Sequence, residues 1–187
     1  MNAASSALRN SAAGWGLLAR LLHWISALAI LFLVGYGWWM THALERAGRR
    51  LTHYQLHSLI GWYVLLLIVL RLVWRAGNPV PDLPAELPRW ERATALAAHW
   101  ALYVLMFAVS ISGWMVADTF RQPIEGTLFG VPVPHLVSSR AYRDALEGTH
   151  MVLSYVLLAL VILHAASALR HHFWKKNRVL LRMWQGG

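Results

Sequence analysis

Residues 21–44 read LLHWISALAILFLVGYGWWMTHAL and contain no Asp, Glu, Lys or Arg. Three further stretches share this property, at residues 51–70, 93–117 and 148–169. Each stretch is long enough for an α-helix of about 20 residues, which crosses a hydrocarbon core of roughly 30 Å. A soluble helical core does not need four such runs in succession. The sequence therefore predicts an all-α fold, an integral membrane four-helix bundle.

The transmembrane helices are expected to extend a little beyond some of these runs, at about 17–43, 53–75, 93–117 and 148–172. Between the third and fourth helices, residues 129–134 (FGVPVP) are apolar enough to lie back on the bundle. After the last helix, residues 173–187 mix Lys and Arg with Trp, Leu and Met, as an interfacial tail does. With no internal repeat, residues 1–187 form a single membrane domain.

The composition excludes several other classes of protein. Only 13% of the residues are charged, about half of the roughly 25% that is typical of soluble domains. The absence of Cys excludes a disulfide scaffold, Cys-ligated zinc, iron–sulfur clusters and covalently attached c-type haem. Although the net charge is +9, the cations lie between apolar runs instead of on one polar face, so we expect no nucleic acid partner.

The distribution of positive charge predicts the orientation in the membrane. If the N-terminus is inside, 11 of the 17 Lys and Arg residues lie on the cytoplasmic side and the other six lie outside. Cytoplasmic loops carry the excess of Lys and Arg in membrane proteins. Both termini are therefore expected to be cytoplasmic.

Histidines are the side chains in these spans that could carry chemistry, because none of the eight carboxylates falls within a span. An ionisable group inside the membrane indicates function by default. Five of the ten histidines lie at or beyond the ends of the charge-free spans, and the five that are left are His23, His57, His99, His150 and His164.

The spacing of four of these histidines places them in two pairs. His150 and His164 are 14 residues apart, so they share a helix face and lie about 21 Å apart along the axis. The first helix runs from the inside to the outside, and the second and fourth helices run the other way. His57, near the start of the second helix, is therefore level with His150, and His23, near the start of the first helix, is level with His164. Such pairs near opposite membrane surfaces have the arrangement that two stacked haems require. The other interpretation is that the histidines pack or form hydrogen bonds separately, and His53 is a competing ligand one turn before His57.

These histidines lie in short motifs that occur in a fixed order along nearly the whole chain. The motifs are RLLHW at 20–24, HSLIG at 57–61, RL at 71–72, AH at 98–99, GTH at 148–150, LHAASALRHHFWK at 163–175 and LLRM at 180–183. Together they resemble the bacterial cytochrome b561 family of four-helix, two-haem membrane cytochromes. The resemblance implies a multi-pass protein of the bacterial inner membrane.

The same resemblance implies the cofactors and their ligands. Two haem b groups are expected, each with bis-histidine ligation. His23 and His164 match the ligands of the cytoplasmic-side haem, and His57 and His150 match those of the external-side haem. Axial histidines on both sides of the iron leave no open coordination position, which suits electron transfer.

The reaction that the resemblance implies is a quinone-linked oxidoreductase reaction. Some members pass an electron from superoxide to ubiquinone, whereas others exchange electrons with quinol or with a soluble redox protein. External arginines could steer superoxide toward the outer haem, or they could be ordinary loop cations; these are Arg46, Arg49, Arg50, Arg140 and Arg143.

Three more residues are candidates for cofactor binding. Arg20 and Arg71 lie at the cytoplasmic ends of the first two spans, where they could pair with haem propionates or simply extend to the membrane surface. His99 is a candidate for contact with a propionate or quinone. His171 and His172, in the family's His-His run, could bind a quinone headgroup or belong to a basic tail.

Two other functions remain as alternatives. One is a haem-bearing membrane anchor of a larger redox complex, although the short loops leave little surface for a permanent partner. The other is a histidine-relay carrier of protons or metal ions, which is disfavoured because such pathways usually include intramembrane carboxylates. The expected partners are membrane lipid, quinone and an external electron donor, and a homodimer stays open.

Overall fold

The computed structural model describes residues 8–43, 50–84, 87–121 and 123–186. It contains four long helices: α1 (Leu17–His42), α2 (Arg50–Ala76), α3 (Arg89–Asp118) and α4 (Arg143–Phe173). Each of them is long and apolar enough to cross a membrane. The predicted all-α fold with four membrane-spanning helices is confirmed.

The helices pack in chain order around a small apolar core. Each contacts the next one along the chain, and α4 also returns to touch α1. The core contains Ile30 from α1, Ile68 from α2, Met106 from α3 and Leu157 from α4. Many other large apolar side chains point outward and are exposed. That pattern, with only a thin core, is expected of helices whose outer faces contact lipid.

Three helices begin earlier than the apolar pattern predicts. Helix α2 starts at Arg50, α3 at Arg89 and α4 at Arg143, outside the charge-free runs. In the first turn of α4, the Arg143 guanidinium donates a hydrogen bond to Glu147 four residues later, a pairing that stabilises exposed helix ends. The apolar run therefore marks the part of each helix that suits the membrane, not the whole helix.

Three segments close one end of the bundle, which we name the internal end after the predicted orientation, the opposite end being the external end. The Asn10 side chain donates a hydrogen bond to the carbonyl of Pro79 at 2.9 Å and accepts one from the amide of Gly16 at 3.0 Å. The short helix α5 (Val179–Trp184) follows α4, and the Trp24 indole donates to the carbonyl of Met183 at 3.1 Å. The tail thus folds back onto α1.

A small hairpin, which the sequence analysis did not predict, forms in the external loop. Strands β1 (Thr127–Leu128) and β2 (Val131–Pro132) are antiparallel, and a short 3-10 helix (Arg140–Tyr142) precedes α4. The turn has positive φ angles of 52° at Phe129 and 81° at Gly130. Such strands are too short to give an alternating pattern, and Pro132 obscures it further. The apolar loop does lie back on the bundle, because the Phe129 ring contacts Tyr63.

Candidate functional site

The external end of the bundle brings His57 of α2 and His150 of α4 together. Their ring centroids are 6.3 Å apart and the ring planes are nearly perpendicular, at 89°. Two imidazoles that bind one metal from opposite sides, with metal–nitrogen bonds of about 2.0–2.1 Å as in zinc sites, hold their ring centres roughly 6 Å apart. The separation of His57 and His150 suits a shared metal between them.

The internal end holds a second pair with nearly the same spacing. His23 of α1 and His164 of α4 have ring centroids 6.4 Å apart, with an interplanar angle of 62°. Helix α4 thus contributes one histidine to each pair, and its 14-residue interval separates the two sites by about 21 Å.

A third histidine lies at the internal pair. The His99 ring is 5.4 Å from the His164 ring, which is closer than His23. The sequence analysis named His99 as a candidate for contact with a propionate or quinone but did not place it beside His164. The internal end therefore contains a triangle of imidazoles in which His23 and His99 both approach His164.

The hydrogen bonds of His150 leave one of its ring nitrogens free for a ligand. Its Nδ1 lies 3.0 Å from the carbonyl oxygen of Val109 and 3.1 Å from the Ser112 hydroxyl. A carbonyl only accepts, so Nδ1 carries the proton and donates, and Nε2 keeps its lone pair. A partner of this kind commonly fixes the tautomer of metal-binding histidines.

Glycines give the external histidines close access to neighbouring backbone. A Cβ atom added at Gly113 would lie 2.8 Å from Cε1 of His150, and one added at Gly37 would lie 3.3 Å from Cε1 of His57. Both of these glycines lie on a different helix from the histidine that they face, so spacing along one helix does not reveal them.

A cavity of about 480 Å³ opens between the helices at the external pair. His57 and His150 both line it, together with Gly37 and Gly113. The Nδ1 atom of His57 is buried without a hydrogen-bond partner, and such atoms usually have a partner that the protein alone does not show. The two imidazoles, the glycines Gly37 and Gly113 beside them and the unpaired Nδ1 atom of His57 fit a flat metal-bearing group at this end.

Arg71 lies beside the internal histidine pair, in agreement with its expected position at the cytoplasmic end of the second span. Its guanidinium is 2.8 Å from Nδ1 of His23 and lies 5.4 Å from the centre of the Tyr103 ring. A guanidinium can only donate, so Nδ1 of His23 accepts this hydrogen bond. Arg71 therefore supplies a fixed positive charge beside His23 and His164.

Arg20 contacts the C-terminal tail. Its guanidinium donates a hydrogen bond to the carbonyl of Trp184 at the end of α5. The Trp184 ring also packs edge-to-face on Trp24, with centroids 5.5 Å apart. The C-terminal tail thus holds Arg20 at the internal surface.

The external arginines are only partly available to steer an anion. The Arg143 guanidinium pairs with Glu147 and lies 4.1 Å from the centre of the Phe120 ring, whereas Arg140 is exposed. Arg46, Arg49 and the side chain of Arg50 lie outside the described residues.

Two polar groups near the sites were missed in the sequence analysis. The Tyr36 hydroxyl is 2.6 Å from Nδ1 of His53. This hydrogen bond joins α1 to α2 beside the external pair. At the internal end, the Glu91 carboxylate accepts from Nζ of Lys175 at 2.5 and 2.6 Å, and Nε2 of His171 is 4.0 Å away. Nothing in the local sequence marks these pairs, because their members are far apart along the chain or on different helices.

Within the described ranges, no group of three or more His, Asp or Glu side chains could hold a metal ion alone. The two histidine pairs are therefore suited to a metal whose other ligands come from a bound group. In haem the porphyrin supplies these ligands and the protein adds the axial ones.

Comparisons with known proteins agree with this architecture. A family model described as prokaryotic cytochrome b561 matches residues 14–186. Cytochrome b561 homolog 2 of Escherichia coli is 33% identical over 178 residues, covering 93% of both chains. A Yersinia pestis protein named probable superoxide oxidase CybB is 27% identical and covers 87% of this chain and 90% of its own.

A further relative is cytochrome b562 of Cereibacter sphaeroides, which is 26% identical over 91% of this chain and 94% of its own length. These relatives and the four spanning helices indicate a bacterial membrane protein. The family match also implies haem b as the cofactor and electron transfer as the activity. The chain belongs to the prokaryotic cytochrome b561 family.

Proposed function

We propose that this protein binds two haem b groups and carries electrons across the bacterial inner membrane. His57 and His150 would hold the external haem, and His23 and His164 would hold the internal haem. The observation that carries the proposal is the pair of imidazole separations, 6.3 and 6.4 Å, at opposite ends of the bundle. When bound, haem would supply one-electron chemistry at these two sites.

The chain's own residues set the environment of each site. The Val109 carbonyl and the Ser112 hydroxyl hold the His150 ring through Nδ1, so Nε2 would be the atom that binds a metal. The apolar walls of the bundle exclude water and limit the reorganisation that accompanies electron transfer. Hydrogen bonds to a metal-binding histidine, and burial of this kind, tune the potential of a metal site.

Arg71 has a specific role at the internal site. If His23 held a metal through Nε2, its proton would be on Nδ1, which could then not accept a hydrogen bond from Arg71. The Arg71 guanidinium would in that case be placed to hold a haem propionate. The Tyr103 ring, 5.4 Å from the guanidinium, keeps the side chain near the site.

We propose the membrane quinone pool as the electron acceptor on one side and superoxide or a soluble periplasmic protein as the donor on the other. Similarity to the probable superoxide oxidase of Yersinia pestis supports superoxide. The positive-inside distribution supports cytoplasmic termini, which places His57 and His150 toward the periplasm. Arg20, His99, His171 and His172 are the proposed internal contacts for propionates or quinone.

The ligand assignment is tested by a haem count and a reduced-minus-oxidised spectrum of purified protein. Wild type is expected to hold two b-type haems per chain, and His150→Ala and His164→Ala are each expected to lose or perturb a different one. His42→Ala, which alters an exposed histidine at the end of α1, is the matched control. Fewer than two haems in wild type, or insensitivity to both substitutions, would contradict the assignment.

His99→Ala separates the two candidate partners of His164. We expect this variant to keep both haems, because His23 is the proposed ligand. If His99→Ala loses the internal haem while His23→Ala keeps it, the ligand pair is His99 and His164 instead.

The superoxide donor is tested by rapid mixing with the haem-loaded protein. Reduction of the external haem is expected to be faster than that of free haem and to slow as the salt concentration rises, because steering of an anion is screened. Reduction no faster than free haem would exclude superoxide as the donor and leave the two-haem assignment intact.

A further inference from the structure

The external hairpin lies beside a membrane-spanning helix, not above it. The Phe129 ring packs edge-to-face on Tyr63, with centroids 5.6 Å apart. Tyr63 is 13 residues after Arg50, which is about 20 Å along the axis of α2. The tip of the hairpin is therefore level with the part of α2 that is suited to the membrane.

The surface of the hairpin is apolar. Residues 126–134 read GTLFGVPVP and contain no charged side chain. Phe129 is 79% exposed and Val131 is 66% exposed. A water-soluble loop would gain nothing from two large apolar side chains in this position, whereas a lipid-facing loop gains the free energy of their transfer from water.

The backbone of the hairpin satisfies much of its own hydrogen bonding, which is the condition for contact with lipid. Thr127 pairs with Pro132 and Leu128 with Val131. The amide of Val133 donates to the carbonyl of Gly126 at 2.9 Å. Two prolines, Pro132 and Pro134, carry no N–H group at all, and the carbonyl of Pro134 accepts from the Trp114 indole at 3.0 Å.

The inner side of the hairpin is fixed firmly to the bundle. A Cβ atom added at Gly126 would lie 2.1 Å from the Trp62 ring, so only glycine allows the chain to approach so closely. Trp62, Ala117 and Ile124 form a buried cluster there. Because the inner face is packed and the tip is apolar, the depth of the tip is set by the fold.

From these observations we propose that the hairpin inserts into the lipid leaflet on the side of His57 and His150, with Phe129 and Val131 in contact with phospholipid acyl chains. The lipid contact continues the lipid-facing surface of α2. Trp62 and Trp114, which hold the hairpin, also line the cavity between the two histidines. The hairpin thereby connects the membrane interface to the wall of the external site.

The absence of Cys from the chain allows a direct test by single-site spin labelling. Phe129→Cys and, independently, Val131→Cys are labelled with a nitroxide in vesicles of phosphatidylethanolamine and phosphatidylglycerol. Collision rates are measured with oxygen, which concentrates in lipid, and with a water-soluble nickel chelate. Val104→Cys, at a 64% exposed position in the middle of α3, is the lipid control, and Arg140→Cys is the aqueous control.

We expect both hairpin labels to collide more often with oxygen than with nickel, as at position 104, and the opposite at position 140. Nickel collisions at position 129 or 131 that match those at position 140 would overturn the proposal. Protection from both reagents, with dipolar broadening between labels, would overturn it in favour of contact with a second copy of the chain. Retained helical circular dichroism establishes that each variant tested is folded.

Discussion

Glycine at position 113 is decisive for the external histidine pair. Its missing Cβ leaves the space that His150 occupies, since an added methyl carbon would lie 2.8 Å from Cε1. Such a distance is shorter than a van der Waals contact, so one of the two helices or the imidazole must move. The orientation of His150 therefore depends on a residue that carries no side chain and lies on another helix.

Gly113→Ala is predicted to displace the His150 ring and to remove or strongly perturb the external haem. The internal haem is expected to keep its spectrum, because it lies about 21 Å away along α4. Gly35→Ala is the matched control, since a Cβ atom at Gly35 meets nothing within 4 Å. Haem content and visible spectra of the two variants give the answer, and equal haem content in both would contradict this role for Gly113.

Arg71 is predicted to raise the potential of the internal haem, because a positive charge favours the reduced state of the iron. Arg71→Gln is expected to lower that potential by about 40 mV, the one-electron equivalent of roughly 1 kcal/mol. A potentiometric titration of both haems measures the shift. Arg121→Gln, in the external loop, is the control for loss of one charge. A shift confined to the external haem would show that Arg71 does not act at the internal site.

Among the elements, the four helices could be predicted from the sequence and the hairpin could not. Long runs without charge are strong signals, because a bilayer excludes charged side chains. The hairpin has two-residue strands, and its position depends on contacts with Trp62 and Tyr63, more than 60 residues earlier in the chain. Contacts of this kind have no local pattern.

Some contacts of the candidate site could be predicted from the sequence and others could not. The pairing of His57 with His150 and of His23 with His164 could be expected from helix direction and depth, and the structure brings both pairs together. The approach of His99 to His164 and the hold of the tail on Arg20 could not be expected. These contacts depend on how helices rotate and on where the chain returns after α4.

Asp118 is predicted to anchor the external loop at the end of α3. Its carboxylate accepts hydrogen bonds from the amides of Leu136 and Val137 at 2.6 and 3.1 Å and lies 2.8 Å from Nδ1 of His135. Asp118→Ala leaves these amides unpaired, at a cost of about 1–3 kcal/mol each where they are buried. We expect faster proteolysis of the loop in this variant.

His135→Ala is the control for that experiment. The His135 side chain is 46% exposed, so its loss removes only one partner that water can replace. Proteolysis of the loop is expected to change little in His135→Ala. Equal rates for wild type and Asp118→Ala would contradict the anchoring role.

At the scale of the whole molecule, the excess of Lys and Arg predicts that both termini face the cytoplasm. Because the chain has no Cys, Arg140→Cys and Arg178→Cys each introduce a single thiol. In intact cells a membrane-impermeant maleimide is expected to label position 140 and not position 178, whereas both react after permeabilisation. The reverse pattern would invert the orientation of the two histidine pairs.

The central claim is that the two histidine pairs form one path for electrons across the membrane. Vesicles containing the haem-loaded protein, with ferricyanide trapped inside and dithionite added outside, test this claim most directly. Wild type is predicted to bleach the trapped ferricyanide, whereas His57→Ala and His164→Ala, each lacking one haem, are predicted to react no faster than protein-free vesicles. Transfer at the wild-type rate by either variant would contradict the account.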